Sequence, residues 1–309
     1  MITSDIDAFL QVARSVRPDF GPATAQGAFL VAPDGFARAS ESASDNTYMA
    51  DADAFDPLKA LLQHRALHVA VSGVVPTVCF AGASDTPDAQ FPNNVFGTAP
   101  GRVVIGRMRH PIRQREAARQ DIRAFFTDVL GLELVDLSTQ SAPCELTGAL
   151  IIDRARGIGW CGLSERCDAT GAAAMHDAFG LRATLMFDLA PGEYHTNVVL
   201  AVLAGRAALV CPAGVADARV LDALDAVYGA HVIRLDPQEH HAFVANAIAL
   251  SGDRVWMSAQ ADAALTPASR SALAEAGFAV SSVALDAIEA AGGSLRCCVG
   301  EIFHGPKLQ

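Results

Sequence analysis

Residues 93–137 read NNVFGTAPGRVVIGRMRHPIRQREAARQDIRAFFTDVLGLELVDL, and the fold is predicted from the pattern in this stretch. Its first two β-rich runs are joined by a glycine turn, which predicts a hairpin. A segment with apolar residues at helical spacing follows and ends at Gly131, and a third β-rich run comes after that glycine. The stretch therefore predicts a strand–strand–helix–strand unit.

The same pattern returns three times further along the chain. The predicted units cover residues 148–188, 196–236 and 244–285, with helices near 168–179, at 216–228 and at 267–276. Gly180, Gly229 and Gly277 are expected to end these helices as Gly131 ends the first. Because the units begin roughly 50 residues apart, they indicate a repeat fold.

A fifth unit is divided between the two ends of the chain. Its predicted parts are LRCCVGEIF (295–303), GAFLVAP (27–33), a helix at 55–64 and a third strand, ALHVAVS (66–72). Pairing the chain ends closes a ring and leaves no open sheet edge. The length alone allows two domains. Five units of ββαβ type instead predict one closed α/β domain over residues 1–309.

The composition restricts the class of protein. The chain has 309 residues, 51% of them hydrophobic, and its 23 basic and 34 acidic residues give a formal net charge of −11. This apolar content excludes a disordered or coiled-coil protein. Dispersed basic residues in an acidic chain are typical neither of nucleic-acid binders nor of peripheral membrane proteins. With no recognisable signal peptide or membrane-spanning run, we expect a cytoplasmic protein that acts on small molecules.

The seven cysteines contain one candidate nucleophile. Their number is odd and none forms C-x-x-C, which argues against a disulfide framework or a zinc site and indicates a reduced protein. Cys297 follows the flexible segment Gly292-Gly293-Ser294-Leu295-Arg296, where glycines permit close approach of a ligand and Arg296 favours a thiolate. In the predicted strand, Cys298 points to the opposite face and is structural.

Two other motifs favour structural roles. Residues 157–162 match G-x-G-x-x-G, but they lie within a predicted hairpin rather than at a strand-to-helix turn, so a dinucleotide site is disfavoured. His240 and His241 lie on a predicted extended segment, where neighbouring side chains point to opposite faces, and are expected to be solvated or to cap. We therefore expect no metal and no organic cofactor.

Five segments, in order along the chain, resemble the guanidino-group-modifying enzymes: arginine deiminase, dimethylarginine dimethylaminohydrolase and the amidinotransferases. The segments are PDAQFPNN (87–94), CELTG (144–148), SER (164–166), HTN (195–197) and GSLRC (293–297). F-P-N-N, H-T-N and R-C, together with DNTY (45–48), most resemble the arginine-deiminase-related, citrulline-utilisation branch. The resemblance covers nearly the whole chain and implies a five-bladed pseudo-symmetric α/β propeller, or pentein, consistent with the five predicted units.

The resemblance also implies site roles. Cys297 matches the nucleophile, His195 the general acid and base, and Glu145 the active-site carboxylate. Four further positions match substrate contacts: Arg113 and Arg166 for the α-carboxylate, and Asp88 and Asn94 for the guanidine or its replacement. Leu146 stands where relatives have glycine. The implied reaction is a cysteine-dependent hydrolysis through a thiouronium-like intermediate, without metal or cofactor.

Two amides depart from the arginine-deiminase pattern. Arginine deiminases have Asp at the positions of Asn94 and Asn197, so two negative charges that would face a guanidinium are absent. Either Asp88 and Glu145 suffice for a cationic guanidine, or the substrate group is neutral, such as the ureido group of citrulline. A third reading has the amides merely capping hairpins. The hypothesis favoured here is a shift away from plain arginine deimination.

Several alternatives stay open at this point. Arginine, methylarginine, agmatine and citrulline are candidate substrates, and an amidinotransferase would pass the amidino group to an amine instead of water. A catalytically inactive ligand-binding propeller is the alternative from another class; a dinucleotide oxidoreductase is weaker. The alanine-rich helices near 172–174 and 216–230 are expected to pack on the outer ring or to support a homodimer.

Overall fold

The computed structural model describes residues 1–304, which form five small β-sheets with helices beside them. Four sheets have three strands, and one has four. In every sheet two neighbouring strands pair antiparallel, and a third lies parallel to the second. The α/β class and the strand–strand–helix–strand pattern predicted from residues 93–137 are therefore confirmed.

The strands, in chain order, are β1 (Ile2–Thr3), β2 (Gly27–Val31), β3 (Thr77–Phe80), β4 (Phe96–Ala99), β5 (Arg102–Ile105), β6 (Glu133–Asp136), β7 (Leu150–Asp153), β8 (Ile158–Leu163), β9 (Ala183–Asp188), β10 (Leu200–Leu203), β11 (Ala207–Val210), β12 (Val232–Arg234), β13 (Ile248–Ala249), β14 (Arg254–Ser258), β15 (Ala279–Val283) and β16 (Gly300–Ile302). The sheet orders are β16-β2-β3, β4-β5-β6, β1-β9-β8-β7, β10-β11-β12 and β13-β14-β15.

The α-helices are α1 (Ile6–Ala13), α2 (Pro57–Ser72), α3 (Pro111–Ala117), α4 (Gln120–Ala124), α5 (Leu146–Ala149), α6 (Ala169–Phe179), α7 (Arg219–Tyr228), α8 (Pro237–His241), α9 (Ala259–Ala264), α10 (Pro267–Glu275), α11 (Asp286–Glu289) and α12 (Leu295–Cys298). Short 3₁₀ turns cover Ser42–Ser44, Ala52–Ala54, Pro92–Asn94, Thr196–Val198, Pro212–Gly214 and Gly229–His231, and a π-helical turn covers Phe125–Val129. Within residues 1–304, no helix combines the length and apolar character needed to cross a membrane.

The two ends of the chain share one sheet, as predicted. Near the C-terminus, β16 pairs antiparallel with β2, with Gly300 opposite Phe29, and β2 pairs parallel with β3. Strand β1 adds to the edge of another sheet by pairing parallel with β9. Joining the ends in one sheet protects edges that would otherwise be open to other chains.

The third strand of this terminal sheet was misplaced by the sequence pattern. ALHVAVS (66–72) is the C-terminal part of α2, and the strand is β3 instead. Leu67 and Val71 lie one helical turn apart and are both fully buried, whereas Val69 is 75% exposed. That burial follows the helical spacing, so the apparent alternation of the apolar residues misled the prediction.

The segment around Cys297 also differs from the prediction. Leu295–Cys298 is a single helical turn, and the strand begins only at Gly300. The backbone N–H groups of Cys297 and Cys298 both donate to the carbonyl of Ser294, at 3.1 and 3.3 Å. The two cysteines therefore do not alternate as strand residues would.

Two smaller corrections concern helices. The helix predicted in residues 113–131 is divided into α3, α4 and the π-helical turn. His240 and His241 lie on helix α8, not on an extended segment. A capping box between Asp236 and Glu239 begins that helix, which explains why the segment turns.

The predicted glycine stops are confirmed. Gly131, Gly180, Gly229 and Gly277 have φ angles of 66, 63, 60 and 84°, a region that residues with a Cβ atom rarely adopt.

Helix α7 packs against helix α1. In this core the ring of Phe9 on α1 meets Trp160 of β8 edge-to-face, with centroids 5.0 Å apart.

Short turns before the first strands bring the functional residues together. The turns Pro92–Asn94, Leu146–Ala149, Thr196–Val198 and Leu295–Cys298 precede β4, β7, β10 and β16. The first of these turns packs against the second and the fourth, and the second also packs against the third. The repeat of about 50 residues thus places one residue from each unit at a common centre: Asn94, Gly148, Asn197, Asn246 and Cys297.

Candidate active site

A cavity beside these turns collects five of the eight predicted site residues. It is lined by Ser42, Asn46, Met49, Asp88, Phe91, Asn94, Arg113, Arg166, Tyr194, Ala291, Gly292, Gly293 and Cys297. The other three predicted residues adjoin it: Asn197 contacts the Cys297 thiol, and His195 and Glu145 contact each other. The structure therefore brings all eight residues together.

The thiol of Cys297 is held by two amides. Asn246 Nδ2 lies 3.2 Å and Asn197 Nδ2 3.4 Å from the sulfur, and both can donate to it. The backbone N–H of Cys297 donates to Asn246 Oδ1 at 3.3 Å. Burial raises the pKa of the Cys297 thiol, although the two amide donors and the charge of Arg296 oppose that rise. The thiol of Cys297 is therefore neutral near pH 7.

The glycine pair ahead of Cys297 forms a tightly anchored loop. The carbonyl of Gly292 accepts hydrogen bonds from Asn46 Nδ2, at 3.1 Å, and from the hydroxyl of Tyr194. Gly292 has a φ angle of 75°, and a Cβ atom there would lie 2.4 Å from Asn46 Nδ2. The close approach predicted for these glycines is thus made to the protein's own side chains.

His195 is oriented by Glu145. Its Nε2 lies 2.8 Å from Glu145 Oε2, and both side chains are completely buried. Because an ionised carboxylate only accepts, Nε2 carries the proton and Nδ1 keeps its lone pair. Burial lowers the pKa of His195, and Glu145 opposes that shift without cancelling it. Nδ1 is therefore a buried base that has no hydrogen-bond partner within residues 1–304.

Gly148 allows the imidazole to approach Asn94. A Cβ atom at Gly148 would lie 2.6 Å from Asn94 Oδ1, 2.8 Å from His195 Cε1 and 2.9 Å from His195 Nδ1. Real Cβ atoms do not come so close, so a larger residue would displace one of these groups. The side-chain oxygen of Asn94 and the free nitrogen of His195 therefore lie on the same side of this turn.

Leu146 adopts a backbone conformation that favours glycine. Its φ angle is 25°, and its side chain is completely buried. Packing of the leucine in the core offsets the strain of this backbone. With leucine at this position, Glu145 still lies within hydrogen-bonding distance of His195.

Glu145 and Arg166 belong to a buried ion-pair network. Arg166 Nη1 lies 3.4 Å from Glu145 Oε2, and Arg166 Nε donates to Asp45 Oδ2 at 3.0 Å. The backbone N–H of Arg109 also donates to Glu145, at 3.0 Å. Burial alone would raise the pKa of Glu145, but the charge of Arg166 and the hydrogen bond from His195 hold it well below its usual range. Glu145 is consequently ionised.

Asp88 and Arg113 also line the cavity. Arg113 donates to both oxygens of Glu116, at 2.9 and 2.8 Å, and to the carbonyl of Phe91 at 3.1 Å. Ser42 donates to Asp88 Oδ2 at 2.6 Å, while Oδ1 is buried without a partner in the described part of the chain. Burial raises the pKa of Asp88, and the charge of Arg113 opposes the rise.

Three site residues were missed by the sequence reasoning. Asn246 was part of a predicted strand, yet it holds the Cys297 sulfur. Asp45 lies in the quoted DNTY segment without an assigned role, and no motif marks Ser42. The signal for Asn246 existed in the repeat: its unit places it where the preceding units have Asn94 and Asn197. Aligning the units by their first strands would have found it.

The motifs set aside in the sequence have structural positions. Gly157 has a φ angle of 69° at a turn, and the following residues form β8, as the structural reading predicted. All seven cysteines are free. Across residues 1–304, no group of three or more His, Cys, Asp or Glu side chains is arranged to hold a metal ion.

One comparison identifies a family. A sequence model described as "N,N dimethylarginine dimethylhydrolase, eukaryotic" matches residues 32–304. This match covers most of the chain and confirms the resemblance to guanidino-modifying enzymes. A search of the curated proteins gives no match.

Solved structures show the same fold. The N-terminal domain of a Cys-to-Ser mutant of ArgZ with substrate bound, an arginine dihydrolase from cyanobacteria, is 21% identical with a TM-score of 0.79, over 91% of this chain and 99% of that one. Unliganded AgrE is 18% identical with a TM-score of 0.79, over 92% of this chain and 40% of that one. A His-to-Gly mutant of dimethylarginine dimethylaminohydrolase, as its adduct with S-methyl-L-thiocitrulline, is 19% identical with a TM-score of 0.67, over 90% of this chain and 100% of that one.

Proposed function

This chain belongs to the N,N dimethylarginine dimethylhydrolase family, and on that premise we propose that it hydrolyses a carbon–nitrogen bond of a guanidino or ureido amino acid. The proposed nucleophile is Cys297, His195 is the acid and base, and Glu145 orients His195. Asp88, Asn94 and Asn197 bind the reacting group, and Arg113 and Arg166 hold the substrate α-carboxylate.

The observation that carries the proposal is a set of unused polar atoms around one thiol. Asp88 Oδ1, Asn94 Oδ1 and His195 Nδ1 are all buried and lack a partner within residues 1–304. Leaving such an atom unpaired costs about 1–3 kcal/mol each. Two of the three are oxygens that accept N–H groups, and a guanidino or ureido group presents several N–H donors in one plane. Asp88, Asn94 and Cys297 line the same cavity.

The proposed reaction begins with two neutral groups. His195 Nδ1 takes the proton of the Cys297 thiol, and the thiolate attacks the planar carbon of the substrate group. The tetrahedral adduct expels a nitrogen, which leaves as ammonia or an amine once His195 has returned the proton. The carbon stays bonded to sulfur as a thiouronium-like intermediate. His195 then deprotonates water, which attacks the carbon and releases the Cys297 thiol.

The amides favour a neutral ureido group as one substrate. Asn94 and Asn197 add no negative charge, so the carboxylates left to face a cation are Asp88 and Glu145. Glu145 already pairs with Arg166 and His195. An amide both donates and accepts, which suits the N–H and C=O groups of a ureido group.

Arginine dihydrolase activity is a second candidate function, because the site offers both a carboxylate and amides to the substrate group. One of the similar structures is an arginine dihydrolase. Two successive hydrolyses of arginine would give citrulline and ammonia, then ornithine, a second ammonia and carbon dioxide. Such an enzyme must bind first a cationic and then a neutral group, and Asp88 beside Asn94 offers partners for both.

We also propose the finer architecture as part of this assignment. The five sheets would be the blades of a pseudo-symmetric α/β propeller that forms one catalytic domain over residues 1–309. The common centre of their turns supports this arrangement, because a ring of blades places equivalent turns around one axis.

A substrate panel tests the function. Arginine, methylated arginines, agmatine and citrulline are each incubated with the purified protein and with Cys297→Ser, while ammonia, amine, ureido product and carbon dioxide are measured. We expect hydrolysis of at least one guanidino or ureido amino acid by the native protein and none by the variant. Adding glycine tests the amidinotransferase alternative, because transfer would yield a new guanidino product instead of a hydrolysis product. No turnover of any compound would contradict the proposed function.

A further inference from the structure

A second cavity adjoins the candidate active site. Its lining includes Thr147, Ala247 and Arg296, the chain neighbours of Gly148, Asn246 and Cys297. Other lining residues come from β7, β10 and β13, and from Arg154 and Glu301. Its volume of about 40 Å³ has room for a small ion.

Positive charge exceeds negative charge around this cavity. The charged lining residues are two arginines, Arg154 and Arg296, and one carboxylate, Glu301. Arg296 donates to Glu301 Oε2 at 2.8 Å, so this carboxylate is paired. Arg154 Nη2 approaches the same oxygen no closer than 4.0 Å. Arg154 therefore shares its nearest counter-charge with Arg296.

Arg154 is fixed in place by contacts that leave one edge unused. Its guanidinium lies 4.4 Å from the ring centroid of Phe303 and 5.3 Å from that of Phe179. Nη1 donates to the carbonyl of Thr98 at 2.9 Å. In the part of the chain that the structure describes, Nε and Nη2 have no hydrogen-bond acceptor. Arg154 itself lines the cavity.

Such a donor pair needs an anion. A buried cation without a counter-charge costs several kcal/mol, and burial together with the charge of Arg296 lowers the pKa of Arg154 to about 10, against the opposing effect of Glu301. Two adjacent guanidinium N–H groups match a chloride ion or two oxygens of a small oxyanion.

We propose that this cavity binds a small inorganic anion, of the size of chloride or bicarbonate, through Nε and Nη2 of Arg154. The site is separate from the position of the proposed substrate. Its occupant offsets the excess positive charge of Arg154 and Arg296 over Glu301 beside the candidate active site. The inference does not depend on the proposed hydrolase activity, since it concerns binding and stability alone.

Thermal unfolding in two salts tests the site. The protein is titrated with sodium chloride or with sodium gluconate at equal ionic strength, so that screening is matched and only the size of the anion differs. Binding to the folded state raises the Tm with the logarithm of ligand concentration. We expect chloride to raise the Tm by about 2–4 °C more than gluconate. An equal response to the two salts would overturn the proposal.

Two variants locate the effect. Arg154→Met should abolish the difference between chloride and gluconate. Arg206→Met is the matched control, because Arg206 is exposed but also stacks on a phenylalanine, 4.5 Å from the centroid of Phe278, and donates to a carbonyl, that of Gly252. It should keep the difference. A chloride-specific shift that persists in Arg154→Met would contradict the assignment.

A direct measurement covers the case in which Arg154→Met fails to fold. Crystals of the native protein soaked in bromide are examined by anomalous scattering. We expect a bromide peak within hydrogen-bonding distance of Arg154 Nε or Nη2. A cavity that holds water alone under these conditions would overturn the proposal.

Discussion

The two sides of the cavity around Cys297 treat charge in different ways. On one side Glu145, Arg166 and Asp45 form a buried ion-pair network that orients His195. On the other side the side-chain contacts of the sulfur are to two neutral amides, Asn197 and Asn246. Fixed charges therefore orient His195, while the sulfur itself contacts amide groups that carry no charge.

This arrangement of charges explains why the Cys297 thiol and the His195 imidazole are both neutral before a substrate binds. Burial raises the pKa of Cys297 and lowers that of His195, and neither the amides nor Glu145 reverses the shift. In the proposed mechanism, the neutral thiol reacts only when a substrate carbon is bound. The proton of Cys297 is therefore expected to move to His195 only during the proposed reaction.

The largest expected effect comes from removing the sulfur. Cys297→Ser should lower kcat by at least ~10⁴-fold, because a hydroxyl is a far weaker nucleophile at neutral pH. Cys298→Ser is the matched control, since Cys298 is equally buried in the same helical turn. It should retain most of the activity per folded molecule in a steady-state assay. Equal losses in the two variants would assign Cys297 a structural role.

Breaking the ion-paired side should mainly affect stability. In Asp45→Asn, Arg166 loses its closest partner, and a buried pair broken on one side costs about 3 kcal/mol. Burial raises the pKa of Asp45, but Arg166 and His110 together hold it below the usual 3.8. The stabilisation is therefore complete at neutral pH and is lost as the pH falls through the lowered pKa of the folded protein. Denaturant unfolding at pH 7 measures how much stability Asp45→Asn loses, and the same experiment at pH 3 measures how far that difference shrinks in acid.

The control for this prediction is an exposed ion pair. Asp217 pairs with Arg219 at the surface, and solvent screens such pairs. Asp217→Asn should show no measurable change in the free energy of unfolding. If Asp45→Asn were as harmless, the charged side would not hold the site together.

Placing a charge on the amide side should change substrate preference. Asn94→Asp adds a carboxylate near Asp88, which favours a cationic guanidino group over a neutral ureido group. We expect the ratio of kcat/KM for arginine to that for citrulline to rise by about tenfold, equivalent to about 1.4 kcal/mol. Asn93→Asp changes a buried neighbour that hydrogen-bonds to Thr147 instead of lining the cavity, and should leave the ratio unchanged. An unchanged ratio in Asn94→Asp, with comparable turnover of arginine and citrulline, would refute the proposed role of the amides.

The smallest effect concerns the acidity of the thiol. Because the pKa of Cys297 lies above the ordinary 9.0, its alkylation by iodoacetamide should still accelerate as the pH rises past 9. Asn246→Ala removes one N–H donor to the thiolate, and the midpoint should rise further by about one pH unit. The rate is followed on the Cys297 peptide by mass spectrometry. A midpoint below 9 would contradict the raised pKa of Cys297, and a midpoint that Asn246→Ala lowers would show that the amides do not stabilise the thiolate.

Much of the fold was readable from the sequence because the repeat is long and its glycines are local signals. Gly131, Gly180, Gly229 and Gly277 require positive φ angles that few other residues adopt. Two of the errors, ALHVAVS and LRCC, are short apolar runs, for which spacing does not separate a helix from a strand. Packing against the rest of the protein decided both.

The site residues that lie in or near recognisable motifs could be predicted from the sequence. The eight residues proposed from the resemblance lie together, since each motif sits in a turn ahead of a strand or beside one. Asp45 and Ser42 were not recoverable, because their roles come from long-range contacts with Arg166 and Asp88. Such contacts depend on how distant segments of the chain pack together, which no local pattern contains.

The most direct test of the account is to trap the intermediate on Cys297. Turnover of the best substrate is quenched rapidly in acid, and the Cys297 peptide is sequenced by tandem mass spectrometry. Hydrolysis that expels the terminal nitrogen predicts an adduct on Cys297 that retains the amino-acid skeleton of the substrate. An adduct that carries the amidino carbon alone would indicate transfer chemistry. Turnover without any adduct on Cys297 would show that Cys297 is not the nucleophile.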